Sequence, residues 1–301
     1  MSENHLSYVL VTAAKNEERF IEATIESVIK QTILPLKWII VNDGSTDKTE
    51  EIIKRYLKGH PWIELAGLPP SPERHFGRKA IAFNYGYERI KHLNFQLIGN
   101  LDADISFEPD YFAYVINKFI ENPDLGVAGT PFREGNQQYN YRFSRKEHVS
   151  GACQLFRREC FEAIGGYIPR PEGGVDLAAV VAARMKGWKT ETFTEKYCVH
   201  NRPMGKAGPH FIKYTFRSGY GDYQFGVHPL WQFMRSVYQM TRKPFIISGF
   251  LLLSGYLWAM LTGAPWAVSK EFVNFRRHEQ SIWLKDLIKR FLKINKFGKI
   301  V

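Results

Sequence analysis

Apolar positions in the first half of the chain switch repeatedly between two periods. Residues 8–13 and 37–41 are short, nearly continuous apolar runs, as in strands buried on both faces. Between them, residues 17–31 place Phe20, Ile21, Ile25, Val28 and Ile29 on one face of an amphipathic helix. Asp43-Gly44-Ser45-Thr46-Asp47 then turns into a helix through residues 50–57, with Asp47 and Glu50 spaced as a capping box. A weaker strand is expected at 62–66, an irregular Pro- and Gly-rich loop at 67–77, and a helix at 78–90. A strand at 95–99, a helix opened by Glu108-Pro109-Asp110 and running to 120, and a strand at 126–131 follow. The alternation is that of a sheet of parallel strands flanked by helices.

The second half is less regular. Residues 151–156 read as strand, 158–164 as a short helix ended by Gly165-Gly166, and 177–185 as an apolar helix preceded by Asp176. Residues 244–268 contain no charged side chain, a stretch long enough to cross a bilayer.

With 301 residues, the chain has room for one large α/β domain with a smaller appendage. Its formal charge of +11 calls for an anionic partner, for which nucleic acid, phosphorylated substrates and acidic headgroups all qualify. Arginine-rich tracts, zinc-finger spacings and RNP-like strings are missing from the sequence, so no nucleic-acid partner is expected. Cys153, Cys160 and Cys198 lack metal-finger spacing and read as buried free thiols of a reducing compartment. Residues 1–7 are polar and lead straight into a strand, so no secretory signal is expected and the catalytic portion should be cytosolic.

Ligands of open α/β sheets gather at the carboxyl ends of the strands. Asn16-Glu17, Asn42-Asp43 and the pair Asp102/Asp104 fall there. Two carboxylates one residue apart present hard oxygen ligands to a divalent cation, although a lone Asp-x-Asp is more often a loop or a cap. Neither a Gly-x-Gly-x-x-Gly nor a Walker-type loop follows the first strand, so phosphates need a metal and cationic side chains instead. Arg78 and Lys79, at the start of a helix, are the candidate cations. Asp176 reads either as the N-terminal cap of its helix or as a general base.

The ordered strings Ala13-Ala14-Lys15-Asn16-Glu17, Val41-Asn42-Asp43-Gly44-Ser45-Thr46-Asp47, Asp102-Ala103-Asp104 and Gly173-Gly174-Val175-Asp176 resemble those of family 2 glycosyltransferases. The resemblance covers roughly residues 7–205. It implies a GT-A fold, a Rossmann-like mixed sheet flanked by helices, and an inverting transferase using a nucleotide-diphosphate sugar. Asp43 would recognise the nucleoside base, with Ala13 and Glu17 lining that end of the pocket. Asp104 would ligate Mg²⁺ or Mn²⁺ on the diphosphate, and Asp102 would contact ribose or the metal shell. Asp176 matches the base that deprotonates the acceptor hydroxyl. His200 and Arg202 resemble the late segment that closes over the diphosphate, with His200 a further metal ligand. The acidic residue that often precedes the base is Val175 here, and the usual proline of the first strand is absent. Trp188, Tyr139 and Tyr141 offer flat faces to acceptor sugars or else pack in the core.

The expected division is a catalytic domain at 1–208 and a helical region at 209–301. Arg242 and Lys243 precede the uncharged segment, and Lys270, Arg276, Arg277, Lys285, Lys289, Arg290, Lys293, Lys296 and Lys299 follow it. Basic flanks on both sides, and a break at Gly263-Ala264-Pro265, suit a monotopic anchor on the cytoplasmic face of the inner membrane. A soluble appendage with a buried hairpin is the alternative. Family members with such tails build surface polysaccharides on glycan or lipid-linked acceptors. The competing readings are transfer to a polyprenyl phosphate and a non-catalytic glycan-binding protein on the same scaffold.

Overall fold

The computed structural model describes residues 6–69, 77–135, 137–138, 145–170, 173–202 and 211–297, excluding the side chains of 137–138, 288 and 290–297. The chain divides into two compact units, Met1–Met204 and Gly205–Val301. Tyr139 and Tyr141, the centre of the Pro-rich loop and Lys299 lie outside what is described, as do the side chains of Arg290, Lys293 and Lys296.

The first unit runs β1 (Tyr8–Ala14), α1 (Ile21–Ile29), β2 (Lys37–Asn42), α2 (Thr49–Leu57), β3 (Ile63–Gly67), α3 (Gly77–Ile90), β4 (Leu97–Leu101) and β5 (Ile105–Ser106). It continues with α4 (Tyr111–Glu121), β6 (Leu125–Gly129), β7 (Phe132–Glu134), β8 (Gln137–Gln138), β9 (Cys153–Arg157) and α5 (Arg158–Ala163). It closes with α6 (Val175–Met185), β10 (Lys189–Thr192) and β11 (Cys198–His200). Seven strands form the main sheet in the order β10-β6-β9-β4-β1-β2-β3. All neighbours are parallel except β9, which runs antiparallel to both β4 and β6. The mixed sheet is therefore the expected parallel one with a single reversed strand.

Period-two alternation along β1 and β2 sends side chains into two separate cores. Tyr8, Leu10, Trp38 and Ile40 meet Ile21, Ile25 and Phe112 of α1 and α4, whereas Val9, Val11, Ile39 and Val41 meet Phe83 of α3 and Phe161 of α5. The result is a three-layer α/β/α sandwich whose central strands are buried on both faces, which is why they read as apolar runs. Cys153, Cys160 and Cys198 are free and buried, as expected, and burial pushes the Cys160 thiol up to about 12.

Two expected starts are corrected. α1 begins at Ile21 rather than residue 17, because Glu17 to Phe20 forms a turn whose Glu17 carbonyl accepts from Ile21 N at 2.9 Å. Asp176 does not cap α6 but sits inside its first turn; Gly174 takes the cap position with φ 67°, a left-handed conformation that glycine adopts without a Cβ penalty.

The second unit is helical among its described residues: α7 (Phe211–Gln224), α8 (Pro229–Met240), α9 (Ile247–Leu261) and α10 (Lys270–Phe297). Residues 244–268 do not form one long helix. α9 has 15 residues and gives way at Gly263, whose φ of 64° ends the helical path before Pro265. Among the described residues, no helix is long and apolar enough to cross a membrane.

Candidate functional site

β1 ends at Ala14, β2 at Asn42 and β4 at Leu101, so Glu17, Asp43 and Asp102 emerge along one edge of the sheet. The loops there are tied to each other. Asn16 takes φ 56°, a conformation asparagine tolerates, and its Oδ1 accepts from Thr46 N at 2.8 Å while its own N donates to Ser45 Oγ at 3.0 Å. Glu17 N donates to Thr49 Oγ1 at 2.7 Å. The expected capping box does not form: Asp47 accepts from Thr49 N and from Glu18 N, and Glu50 instead receives Asn42 Nδ2 at 2.7 Å. Asp47 is thus a brace between two loops, which holds both rims of the cleft.

Asp43 is 5% exposed. The Arg78 guanidinium grips both of its oxygens, with Nε to Oδ2 at 3.2 Å, and Lys15 Nζ stands 3.6 Å from Oδ2. Arg78 is therefore directed at Asp43 and not at the Asp102/Asp104 pair. Ala13 lies one residue from the end of β1, opposite Val41 in the ladder, and packs against the core beneath.

The two aspartates of the pair have different partners. Asp102 pairs with Lys79, whose Nζ also donates to Gly151 O at 3.3 Å. Burial opposes the charge on Lys79, but the carboxylates of Asp102, Asp176 and Asp104 outweigh it and raise the pKa of the ammonium. Asp104 accepts from Arg202 Nε at 2.9 Å and lies 3.6 Å from His200 Nε2. The other end of the Arg202 guanidinium pairs with Glu17. Burial, helped by Asp104 and Asp102 and only partly offset by Arg202, pushes the Glu17 carboxyl up to about 7. Each of two cations thus serves two acids: Arg202 bridges Glu17 and Asp104, and Lys79 stands among Asp102 and Asp176.

Strand pairing explains how the late segment reaches this edge. β11 runs antiparallel to β5 with His200 opposite Ile105, and Asn201 N donates to Asp104 O at 2.8 Å, so Arg202 emerges next to Asp104. The donor set of Asp104 and His200 fits a Mg²⁺ or Mn²⁺ ion completed by phosphate oxygens, since such ions commonly take only one or two protein carboxylates. Among the described residues, no group of three or more His, Cys, Asp or Glu side chains is placed to hold a metal by itself.

A cavity of about 290 Å³ opens beside the pair, lined by Lys79, Asn100, Asp102, Gly151, Asp176 and His200. Ligand pockets run on the order of 300–1,000 Å³, so this one suits a sugar ring and not a whole nucleotide sugar. Asp176 is fitted directly over Gly151, where an added Cβ would overlap the carboxylate. Gly151 O in turn accepts from Asn100 Nδ2 at 2.8 Å. Phe83, Phe132 and Tyr167 form apolar wall, with the Tyr167 hydroxyl donating to Gln154 Oε1 at 2.5 Å. Trp188 does not line the cavity; it packs over Gly126 and Cys160, which favours the core-packing reading of this residue over the acceptor platform.

Lys15, Asn100, Gly151 and Tyr167 were not singled out as site residues. A glycine and a tyrosine carry no local sign of facing a cavity. Lys15 lies inside a quoted string and Asn100 two residues ahead of Asp102, so both carried the one available signal, adjacency to a strand end.

A family model for glycosyl transferase family 2 matches residues 9–169. The hyaluronan synthase of Pasteurella multocida is 25% identical over 192 residues, covering 58% of this chain and 19% of that protein. The poly-beta-1,6-N-acetyl-D-glucosamine synthase of Staphylococcus epidermidis is 30% identical over 208 residues, covering 64% of this chain and 44% of that protein. The chain therefore matches less than half the length of these curated relatives. Among solved structures, the mannosyltransferase PcManGT of Pyrobaculum calidifontis, in complex with GDP-Man and Mn²⁺, aligns with a TM-score of 0.58 at 19% identity over 93% of this chain and 81% of that one. S. aureus TarS 1–349 in complex with UDP-GlcNAc aligns with a TM-score of 0.54 at 13% identity, over 90% and 78%. These structures share the GT-A arrangement of a mixed sheet with flanking helices, and the family match spans more than half of the chain: it belongs to glycosyl transferase family 2.

Proposed function

We propose that this chain moves a sugar from a nucleotide-diphosphate donor to a hydroxyl of a glycan or lipid-linked acceptor in surface-polysaccharide synthesis, with inversion at the anomeric carbon. One observation carries the reading: Asp176, Asp102 and Lys79 line a single sugar-sized cavity, with His200 at its wall and Asp104 beside His200. The polysaccharide synthases among the relatives support the acceptor class, and the GDP-Man and UDP-GlcNAc complexes of the structural neighbours support the donor class.

The residues divide the work. Asp43, held by Arg78 and Lys15, is positioned to accept hydrogen bonds from a nucleoside base, with Ala13 and Glu17 along the same rim. Asp102 takes the ribose, and Arg202 and Lys79, which pair with Asp104 and Asp102, meet the diphosphate. Asp104 and His200 would hold a divalent ion, which when bound neutralises charge on the departing diphosphate. Asp176 accepts the proton of the acceptor hydroxyl as its oxygen bonds to the anomeric carbon, and the bond from that carbon to the diphosphate oxygen breaks with its electron pair leaving on the nucleoside diphosphate.

The test is a thermal-shift and calorimetric screen of UDP, GDP, CDP and dTDP with and without Mn²⁺, on wild type and Asp104→Asn. One nucleotide should stabilise the wild type in a Mn²⁺-dependent manner, and Asp104→Asn should lose that dependence. An absence of nucleotide binding under every condition would refute the donor reading.

A further inference from the structure

Residues 205–301 carry 15 Lys and Arg against 4 Asp and Glu, a formal charge of +11, which equals the charge of the entire chain; residues 1–204 balance to zero. The same unit holds fifteen of the twenty large apolar side chains that stand exposed among the described residues. High positive charge and a bare apolar surface do not normally coincide in a water-solvated module.

The helices are also built the wrong way round for water. α8 exposes Leu230, Phe233 and Val237, spaced i, i+3, i+7, and buries Gln232 and Ser236 on its opposite face, both 0% exposed. The Gln232 amide and the Ser236 hydroxyl find no hydrogen-bond partner among the described residues. α9 exposes Phe250, Leu257, Trp258 and Leu261, the last at 79%, and turns Ser248, Gly249, Gly255 and Ala259 inward together with Leu252 and Tyr256. Those small residues let backbones touch. A Cβ at Gly255 would overlap Phe216 O of α7, and one at Gly249 would overlap Ser236 O of α8. Small residues at the helix contact with bulky apolar side chains outward is the packing of helices whose solvent is lipid.

We infer that this unit seats in one leaflet of an anionic bilayer, with the outward faces of α8 and α9 in the headgroup–acyl boundary and its basic residues on the headgroups. A helix of 15 residues is about 22 Å long, short of the roughly 30 Å hydrocarbon core, so α9 lies in the interface and does not span. Trp258 supplies an amphipathic ring of the kind enriched at that depth. Arg242 and Lys243, both exposed, sit immediately ahead of α9, and exposed Lys270 opens α10, so charge brackets the apolar face. A second copy of the chain is a poor occupant, because two units of charge +11 repel one another. This inference stands independently of the catalytic assignments.

The test is flotation of the full chain with vesicles of phosphatidylcholine alone and with phosphatidylcholine containing 30% phosphatidylglycerol. Binding should be at least about tenfold stronger to the anionic vesicles and should weaken in 0.5 M salt. Phe250→Ser with Trp258→Ser should lose about tenfold or more of that binding. In case that variant folds poorly, brominated lipids should quench the wild-type tryptophan emission, and Trp258→Phe should remove much of the quenching. No flotation with either vesicle, flotation unaffected by salt and by the double substitution, or a lipid-free dimer abolished by that substitution would each overturn the inference.

Discussion

Arg202 Nε donates to Asp104 Oδ2 at 2.9 Å across 98 positions of sequence, and the same guanidinium pairs with Glu17. A cation of the chain thus occupies the carboxylate oxygen that, in the proposed function, a divalent ion takes. Arg202→Met should raise Mn²⁺ affinity of the nucleotide-free protein several-fold by removing the competitor. It should also weaken binding of the nucleoside diphosphate by about tenfold, since a charge-assisted contact is lost. Calorimetric titration separates the two effects, and a fall in nucleotide-free Mn²⁺ affinity would refute the competition.

Asp176→Asn keeps the shape of the side chain and removes its basicity. The expected result is a drop in transfer rate of roughly 10²–10⁴ with nucleotide affinity within about twofold of wild type. Single-turnover transfer measured beside calorimetry checks this, and transfer at the wild-type rate would remove Asp176 from the mechanism.

Gly151 has no left-handed φ, so its backbone accepts alanine; the added methyl alone collides with the Asp176 carboxylate. Gly151→Ala should lower kcat by about 10–100-fold through a displacement of an ångström or less, while donor KM changes little. The contrast with Asp176→Asn lies in the size of the loss: the alanine variant keeps its carboxylate and should retain a rate above that of the asparagine variant. A kcat equal to wild type would show that the carboxylate is not seated on this glycine.

Glu17 sets a pH dependence of stability. Its folded pKa of about 7 lies above the ordinary carboxyl value of 4.5, so the folded state holds a proton that the unfolded state has released. The stabilising contribution is therefore complete below about pH 4.5 and is lost as the pH rises to about 7. The span corresponds to at most roughly 3 kcal/mol, and Glu17→Gln, which never ionises, should lack it. Denaturant unfolding of both proteins between pH 4.5 and 8 in the presence of a chelator reads the difference directly. Identical slopes would contradict the assignment.

The strands and helices of the first unit were legible because burial on two faces or one stripe leaves a local period. β1, β2, β4 and α3 lie within two residues of where the apolar pattern predicts them. Caps were read less well, since Asp47 and Glu50 satisfy the spacing of a capping box yet find better partners in Glu18 and Asn42. β10 and β11, of four and three residues, carry too few positions for any period to show.

By itself, the sequence determined the alternating elements, the placement of Glu17, Asp43 and Asp102 at strand ends and the family resemblance, because these depend on neighbours a few positions apart. Only the tertiary structure decided which cation meets which carboxylate, that Gly151 underlies Asp176, and that Leu230, Phe233 and Val237 of α8 and Phe250, Leu257, Trp258 and Leu261 of α9 face outward. A composition of apolar, small and polar residues does not say which face of a helix is covered. That outcome rests on backbone contacts such as Gly255 against Phe216, and on a β5–β11 pairing nearly a hundred residues apart, which only the folded chain brings together.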